Sequence, residues 1–326
     1  MLLIDVRSPS EFQQGHVPEA VSLPLFDDAE RHAVGLCYAE QGQDAAVRLG
    51  LSFVGPKMHS LVAFVDELCG GTREVSVYCW RGGMRSGSVA WLLGTAGYRV
   101  NRWEGGYKAY RNRVLAELSL PRPYRVLTGH TGVGKTEALA TISDAGMQVL
   151  DLERLANHRG SAFGHVGLGA QPTSEQFENY LAAELATLDP IRPIWVEDES
   201  QSIGRVWLQP NFFKLLQTAP RLELVRSAEE RAQLLARIYG EAPADQLKNS
   251  FTRLARKIGG QWVPVAHQKI DEGQLAEAAA LALRYYDKTY AHSMARTETT
   301  VQHRLDLTGL LPDQAQSALL EAVTAF

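Results

Sequence analysis

Cys79 opens the string Cys-Trp-Arg-Gly-Gly-Met-Arg-Ser, in which Arg85 follows six residues later and two glycines fill the middle. A loop curled around an anion turns successive backbone N–H groups inward, and glycines let that backbone approach closely. The helix expected after the loop adds partial positive charge from its N-terminus. Arg81, Arg85 and that helix end all favour thiolate over thiol, so Cys79 reads as a nucleophile. A free cysteine is more commonly a small buried hydrophobe. Cys37 and Cys69 lack the surroundings of Cys79 and keep that structural reading.

A second anion loop runs from Gly129 to Thr136 and matches G-x-x-x-x-G-K-[ST] in full. The amides of Gly129, Thr131, Gly132 and Gly134, with the N-terminus of the next helix, are suited to hold a diphosphate. Lys135 neutralises its oxygens and Thr136 offers a hydroxyl to Mg2+. The metal also needs an acidic partner after an apolar strand. IWVEDES supplies Glu197, Asp198 and Glu199, VLDLE supplies Asp151 and Glu153, and Asp198 is the preferred ligand. The motif specifies a diphosphate and not the rest of the molecule, so ATP is the default ligand.

These loops need strands to deliver them and helices to follow. LLIDVR reads as a buried strand carrying Asp5 and Arg7 to its end. Loops are expected from there to Pro56, then a helix over SLVAFVDELC capped by Gly70-Gly71. The β-rich EVSVYC delivers Cys79 to the carboxyl end of a strand, where open α/β sheets bind ligands, and a helix runs on to Gly97. The prolines of SLPRPY mark a boundary. Beyond it YRVLT, the glycine loop, the TEALATISDAG helix and the strand MQVLDLE form a βαβ unit. RPIWVEDES and RLELV are further strands, and Thr173 with Gln176 is expected to cap a helix over QPTSEQFENY.

A chain of 326 residues calls for roughly two domains at about 150 residues each. The expected architecture is α/β: a parallel-sheet domain over 1–118, a linker over 119–123, and a P-loop NTPase-like α/β domain over 124–326 with a helical C-terminal region. Net charge is −4, so a polyanion partner must be held by a local basic cluster. Candidates are Arg221, Arg226, Arg231, Arg237, Arg253, Arg256 and Lys257, with Tyr239 and Trp262 for stacking. No apolar run reaches the roughly 18 residues of a membrane span, and the first residues lack a signal peptide's pattern, which together with three unpaired-looking cysteines leads to a cytoplasmic expectation.

DVRSPSEFQQGHVPEA, the strand-borne cysteine loop and WEGGYKAYR resemble a rhodanese domain. The resemblance implies that Asp5 and Arg7 brace the active loop and that the cysteine carries a persulfide-type intermediate. Seven residues from Cys79 through Arg85 exceed the six usual in plain sulfurtransferases and resemble the C-x5-R cradle of related phosphatases, which fits a tetrahedral phosphoryl group. Tyr78, however, stands where tyrosine phosphatases have histidine. With YCWRGGMRS, GGYKAYR, GHTGVGKT, LDLERLANHRGSAFG, QPTSEQFEN and VEDESQSIG, the chain resembles the tRNA 2-selenouridine synthase family along nearly its whole length.

That resemblance implies conversion of wobble 2-thiouridine to 2-selenouridine through an S-geranylated intermediate, with geranyl diphosphate and selenophosphate as co-substrates. Cys79 then carries a selanyl or related intermediate. The P-loop holds the prenyl diphosphate, with ATP still open. The tRNA anticodon stem-loop is the substrate partner, and an enzyme producing selenophosphate is a further one. Asn157, His158, Arg159, Gly160 and Ser161 grip phosphate or the anticodon loop, or else Arg159 satisfies loop carbonyls. Members of that family usually carry a leading segment with its own strand before the DVR motif, so either the start is misassigned or the first sheet lacks an edge strand. The rival reading is a sulfurtransferase fused to an ATP-dependent kinase-like module.

Overall fold

A computed structural model describes residues 1–294 and 301–326 and divides into two compact units. The first is Met1–Glu117 with Glu178–Tyr180, and the second is Leu118–Phe177 with Leu181–Phe326.

The first unit runs β1 (Leu2–Asp5), α1 (Pro9–Gln14), β2 (Val21–Ser22), α2 (Asp28–Gln41), α3 (Gln43–Val54), α4 (Met58–Cys69), β3 (Glu74–Tyr78), α5 (Met84–Thr95), β4 (Arg99–Arg102) and α6 (Gly106–Glu117). Its sheet has the order β2-β1-β3-β4 and every pairing is parallel. Parallel strands are covered on both faces, which is why Val75, Ser76, Val77 and Tyr78 are all buried instead of alternating. Ile4, Val6, Val77, Val89 and Leu93 pack as one core, and each such side chain contributes about 1.5–3 kcal/mol on burial.

The expectation of loops as far as Pro56 is corrected here. Residues 9–14, 28–41 and 43–54 are helical. α2 contains no buried residue, so no apolar periodicity marks it. Its local signal is a capping box, in which Asp27 accepts from the Glu30 amide and Glu30 from the Asp27 amide. The helix expected over SLVAFVDELC, α4, begins at Met58, two residues before the serine expected to cap it, and ends at Gly70 in the left-handed region.

The second unit runs β5 (Tyr124–Thr128), α7 (Lys135–Asp144), β6 (Gln148–Leu150), α8 (Leu152–Ala156), α9 (Ser174–Thr187), β7 (Ile194–Glu197), the hairpin β8 (Ser202–Ile203) and β9 (Val206–Trp207), α10 (Pro210–Thr218) and β10 (Arg221–Val225). A helical section follows: α11 (Ala228–Ile238), α12 (Ala244–Arg253), α13 (Ala255–Ile258), α14 (Trp262–Asp271) and α15 (Leu275–Met294). β11 (Val301–Asp306) and α16 (Pro312–Ala325) complete it. The main sheet has the order β11-β10-β5-β7-β6, all parallel. The strand expected over MQVLDLE stops at Leu150 because the Asp151 carboxylate caps α8 through the Arg154 amide. Thr173 caps α9 through the Gln176 amide, as its spacing predicts. Among the described residues no helix is long and apolar enough to cross a membrane.

Candidate active site

β3 ends at Tyr78 and α5 begins at Met84, so the chain turns from strand to helix within the Cys79 loop. α6 pins that loop from outside, with the Tyr107 amide donating to the Cys79 carbonyl at 2.9 Å and the Lys108 amide to the Trp80 carbonyl at 2.9 Å. Contact is close enough to require glycine. A Cβ on Gly106, whose φ is +55°, would lie 2.2 Å from the Cys79 carbonyl oxygen.

The Cys79 side chain is only 3% exposed, and its thiol lies 3.3 Å from the Ser86 hydroxyl. Burial pushes the thiol up. The Ser86 hydroxyl, the Ser86 and Arg81 amides, and the Arg85 charge act in the other direction and hold it below its ordinary value. The sulfur therefore sits in a polar cradle, although the rest of the residue joins the apolar core. Substituting Ser86→Ala removes the strongest thiolate-stabilising contact. The pH profile of Cys79 alkylation by iodoacetamide is expected to move to higher pH, with slower reaction at pH 7 than in the unsubstituted protein.

Arg85 favours the thiolate through its charge, as its sequence reading has it, whereas Arg81 does so through its backbone. Arg81 is exposed and reaches the sulfur through its amide. Arg85 is turned onto Glu11, with contacts of 2.5 and 3.1 Å, so much of its charge is already matched. Asp5 and Arg7 form a fully buried pair at 2.6 Å. Arg7 also donates to the Gly15 carbonyl, and its guanidinium lies 3.8 Å from the centre of the Tyr107 ring. The pair thus packs against Tyr78 of β3, the strand that delivers the loop, and Tyr107 of α6, the helix that pins it.

In the second unit, Gly134 has φ +95° at the start of α7, which places Lys135 and Thr136 in the first turn. Arginines tie two carbonyls of this glycine loop, Arg231 to Thr131 at 3.2 Å and Arg226 to Val133 at 3.1 Å. The His130 ring, 4.2 Å from that of Tyr290, hydrogen-bonds to Asp287, which also pairs with Arg231 at 2.8 Å. Gly129, Thr131, Gly132, Gly134, Lys135 and Thr136 all face a cavity of about 430 Å3.

Asp198, although it borders this cavity, has both carboxylate oxygens engaged, one by Thr128 at 2.6 Å and one by Arg221 at 2.7 Å. Thr136 instead donates to Glu153 at 3.1 Å. Glu153 and Glu199 hydrogen-bond to each other, and both close on Gly160, where a Cβ would lie 2.6 and 2.8 Å from their oxygens. Burial raises both, Glu199 to about 8, while Lys135 pulls both down. Glu197 is buried beneath them and raised well above the carboxylate range by that burial. Alternation at the strand end puts Glu197 and Glu199 on the side opposite Asp198. The oxygen donors here, Thr136 with Glu153 and Glu199, fit Mg2+, which prefers hydroxyl and carboxylate ligands and supplies charge neutralisation to a diphosphate when bound.

The loop after α8 is divided in role. Arg159 and Ser161 line the cavity, whereas His158 is buried, with its ring held toward the neutral form by burial and by His165. Arg159 also donates to the Val166 carbonyl at 3.0 Å, in keeping with the structural reading of that residue. Of the basic candidates, Arg221 and Arg231 are buried and already paired, and Tyr239 is 9% exposed, so these three offer no free face to RNA. Trp262 carries the Arg284 guanidinium over its ring.

Sequence reasoning missed an apolar chamber beside the glycine loop. Phe163, Phe251, Ile270, Ala278, Ala282 and Leu283 form its walls, from α12, α14, α15 and the loop after α8. Thr131, Ser161, Leu235, Tyr239 and Tyr286 line both this chamber and the larger cavity, so the two adjoin. The chamber encloses about 50 Å3, room for only a few waters at roughly 10–15 Å3 each, so a larger occupant requires side chains to move.

Residues 1–113 match the rhodanese-like domain family, and residues 122–312 match the tRNA 2-selenouridine synthase AAA domain family. The chain is 36% identical to the tRNA 2-selenouridine synthase of Bordetella petrii over 330 residues, covering 90% of this chain and 87% of that one. Similarity to the synthase of Cupriavidus necator is 35% over 339 residues, covering 93% and 91%. For that of Bordetella bronchiseptica the identity is 37% over 326 residues, covering 89% and 87%. Together with the parallel sheets, these matches identify an N-terminal rhodanese-like domain followed by a P-loop α/β domain.

Proposed function

The chain belongs to the tRNA 2-selenouridine synthase family, a family of tRNA-modifying transferases, and we propose that it converts wobble 2-thiouridine to 2-selenouridine in two steps at two sites. In the first, the C2 sulfur attacks the allylic carbon of geranyl diphosphate. The S–C bond forms, the C–O bond breaks, diphosphate leaves and the N3 proton is lost. Lys135, the glycine-loop amides and Thr136 bind the diphosphate. In the second, the selenium of selenophosphate attacks C2 at the Cys79 loop, the C2–S bond breaks and geranylthiol leaves with a proton, and water then cleaves the Se–P bond to release phosphate. Alkylation matters because it turns a poor leaving group into a better one.

What supports this reading is the apolar chamber adjoining the phosphate cavity, which offers apolar walls to a prenyl chain, once side chains move to admit it, while its diphosphate occupies the glycine loop. Its walls are mostly apolar, Phe163, Leu247, Phe251 and Leu283 among them, and suit a hydrocarbon chain better than an adenine ring. The anticodon stem-loop of tRNA and an enzyme that makes selenophosphate are the partners this scheme requires. Calorimetric titration tests the ligand: geranyl diphosphate is expected to bind more tightly than inorganic diphosphate, with no ATP hydrolysis by the purified protein. Tight ATP binding with turnover, and none for geranyl diphosphate, would instead establish the kinase-like alternative.

A further inference from the structure

The cysteine-bearing unit has an apolar hollow of its own. It lies between α2, α3 and the start of α5, encloses about 160 Å3, and is lined by Val34, Tyr38, Leu51 and Val54 together with Met84 and Arg85. The last two belong to the Cys79–Arg85 loop, so the hollow begins where that loop ends. A second, more open hollow of about 360 Å3 continues it, sharing Leu51, Val54 and Met84. Leu51 is 64% exposed, Tyr38 59% and Met84 55%, an unusual concentration of apolar surface beside a reactive sulfur. Few polar atoms interrupt it. Arg85 is turned away onto Glu11, and the Gln43 amide is spent on the Met84 thioether at 3.7 Å.

We propose that this hollow is a second isoprenoid site, which receives the ten-carbon chain of the S-prenylated base while its C2 carbon is presented to the Cys79 loop. The proposal rests on the prenyl reading of the reaction and specifies how the Cys79 site recognises its substrate. Continuity with the loop decides the occupant: a chain attached to the sulfur at C2 must extend from the reacting carbon, and Met84 and Arg85 are where the loop becomes apolar wall. Burying that chain against α2 and α3 positions the base and distinguishes it from unalkylated 2-thiouridine, which has nothing to place there. It also gives α2, which buries no residue of its own, a ligand to close upon.

Selenation of two preformed tRNAs tests it, one carrying S-geranyl-2-thiouridine and the other S-methyl-2-thiouridine, each with free selenophosphate. Leu51→Glu, at an exposed position outside the catalytic loop, is expected to raise KM for the geranyl substrate on the order of tenfold or more, the size of effect a few lost methylene contacts produce. The methyl substrate is expected to be unaffected, as is geranyl transfer to 2-thiouridine tRNA, and Leu51→Met is expected to restore the geranyl preference. Equal KM values for the geranyl substrate with and without Leu51→Glu would overturn the proposal. So would a loss appearing on both substrates only when a selenium-delivering protein replaces free selenophosphate, which would make the hollow a protein-docking face. Failure of the unsubstituted enzyme to use S-geranyl tRNA at all would instead refute the underlying reaction scheme.

Discussion

Cys79→Ala is expected to stop selenium incorporation and leave S-geranylated tRNA accumulating, because the two steps draw on different loops. Removing a group on which the chemical step depends costs on the order of 10^3-fold or more in rate. The fold should survive, since trimming one buried sulfur atom costs only about 1 kcal/mol and the loop is held by the Tyr107 and Lys108 amides and by glycine packing at Gly106. Mass spectrometry of nucleosides from tRNA treated with geranyl diphosphate and selenophosphate reads both products at once. Comparable loss of the geranylated nucleoside would show that Cys79 also serves prenyl transfer, and the two-site division would fall.

The parts of the molecule that were legible in advance are those whose signal lies within a few consecutive residues. The glycine loop, the cysteine loop and the strands delivering them follow from short strings with known local geometry. What stayed hidden depends on residues brought together from far apart. Glu11 lies 74 positions from Arg85, and only the fold shows that it takes the arginine's charge. Glu153 and Glu199 were visible as carboxylates, but the choice among three consecutive acidic residues after β7 turns on which side of the strand each projects. Asp198, the carboxylate preferred from sequence, has Thr128 and Arg221 on its side. The apolar chamber draws on α12, α14 and α15, whose alanines, leucines and phenylalanines read in sequence as ordinary helix core.

Lys135→Ala is expected to abolish the first step and, through it, the second. The lysine is the cation of the glycine-loop motif and lines the cavity, and removing one partner of a charge pair with a bound diphosphate costs about 2–4 kcal/mol, roughly thirty- to a thousandfold in affinity. A further effect adds to this. Lys135 is the group that draws Glu153 and Glu199 toward ionisation, so without it both hold their protons to higher pH and the cavity loses oxygen donors for a metal as well as its fixed cation. tRNA incubated with this variant should keep its 2-thiouridine. The discriminating result comes from supplying tRNA already geranylated: selenation should then proceed at the unsubstituted rate, because the Cys79 loop owes nothing chemically to the glycine loop once the alkylated base exists. Were that rescue to fail, the lysine would have to act in the selenium step itself. Were 2-thiouridine geranylated normally despite the substitution, the glycine loop would be scaffold and the diphosphate would have to bind elsewhere.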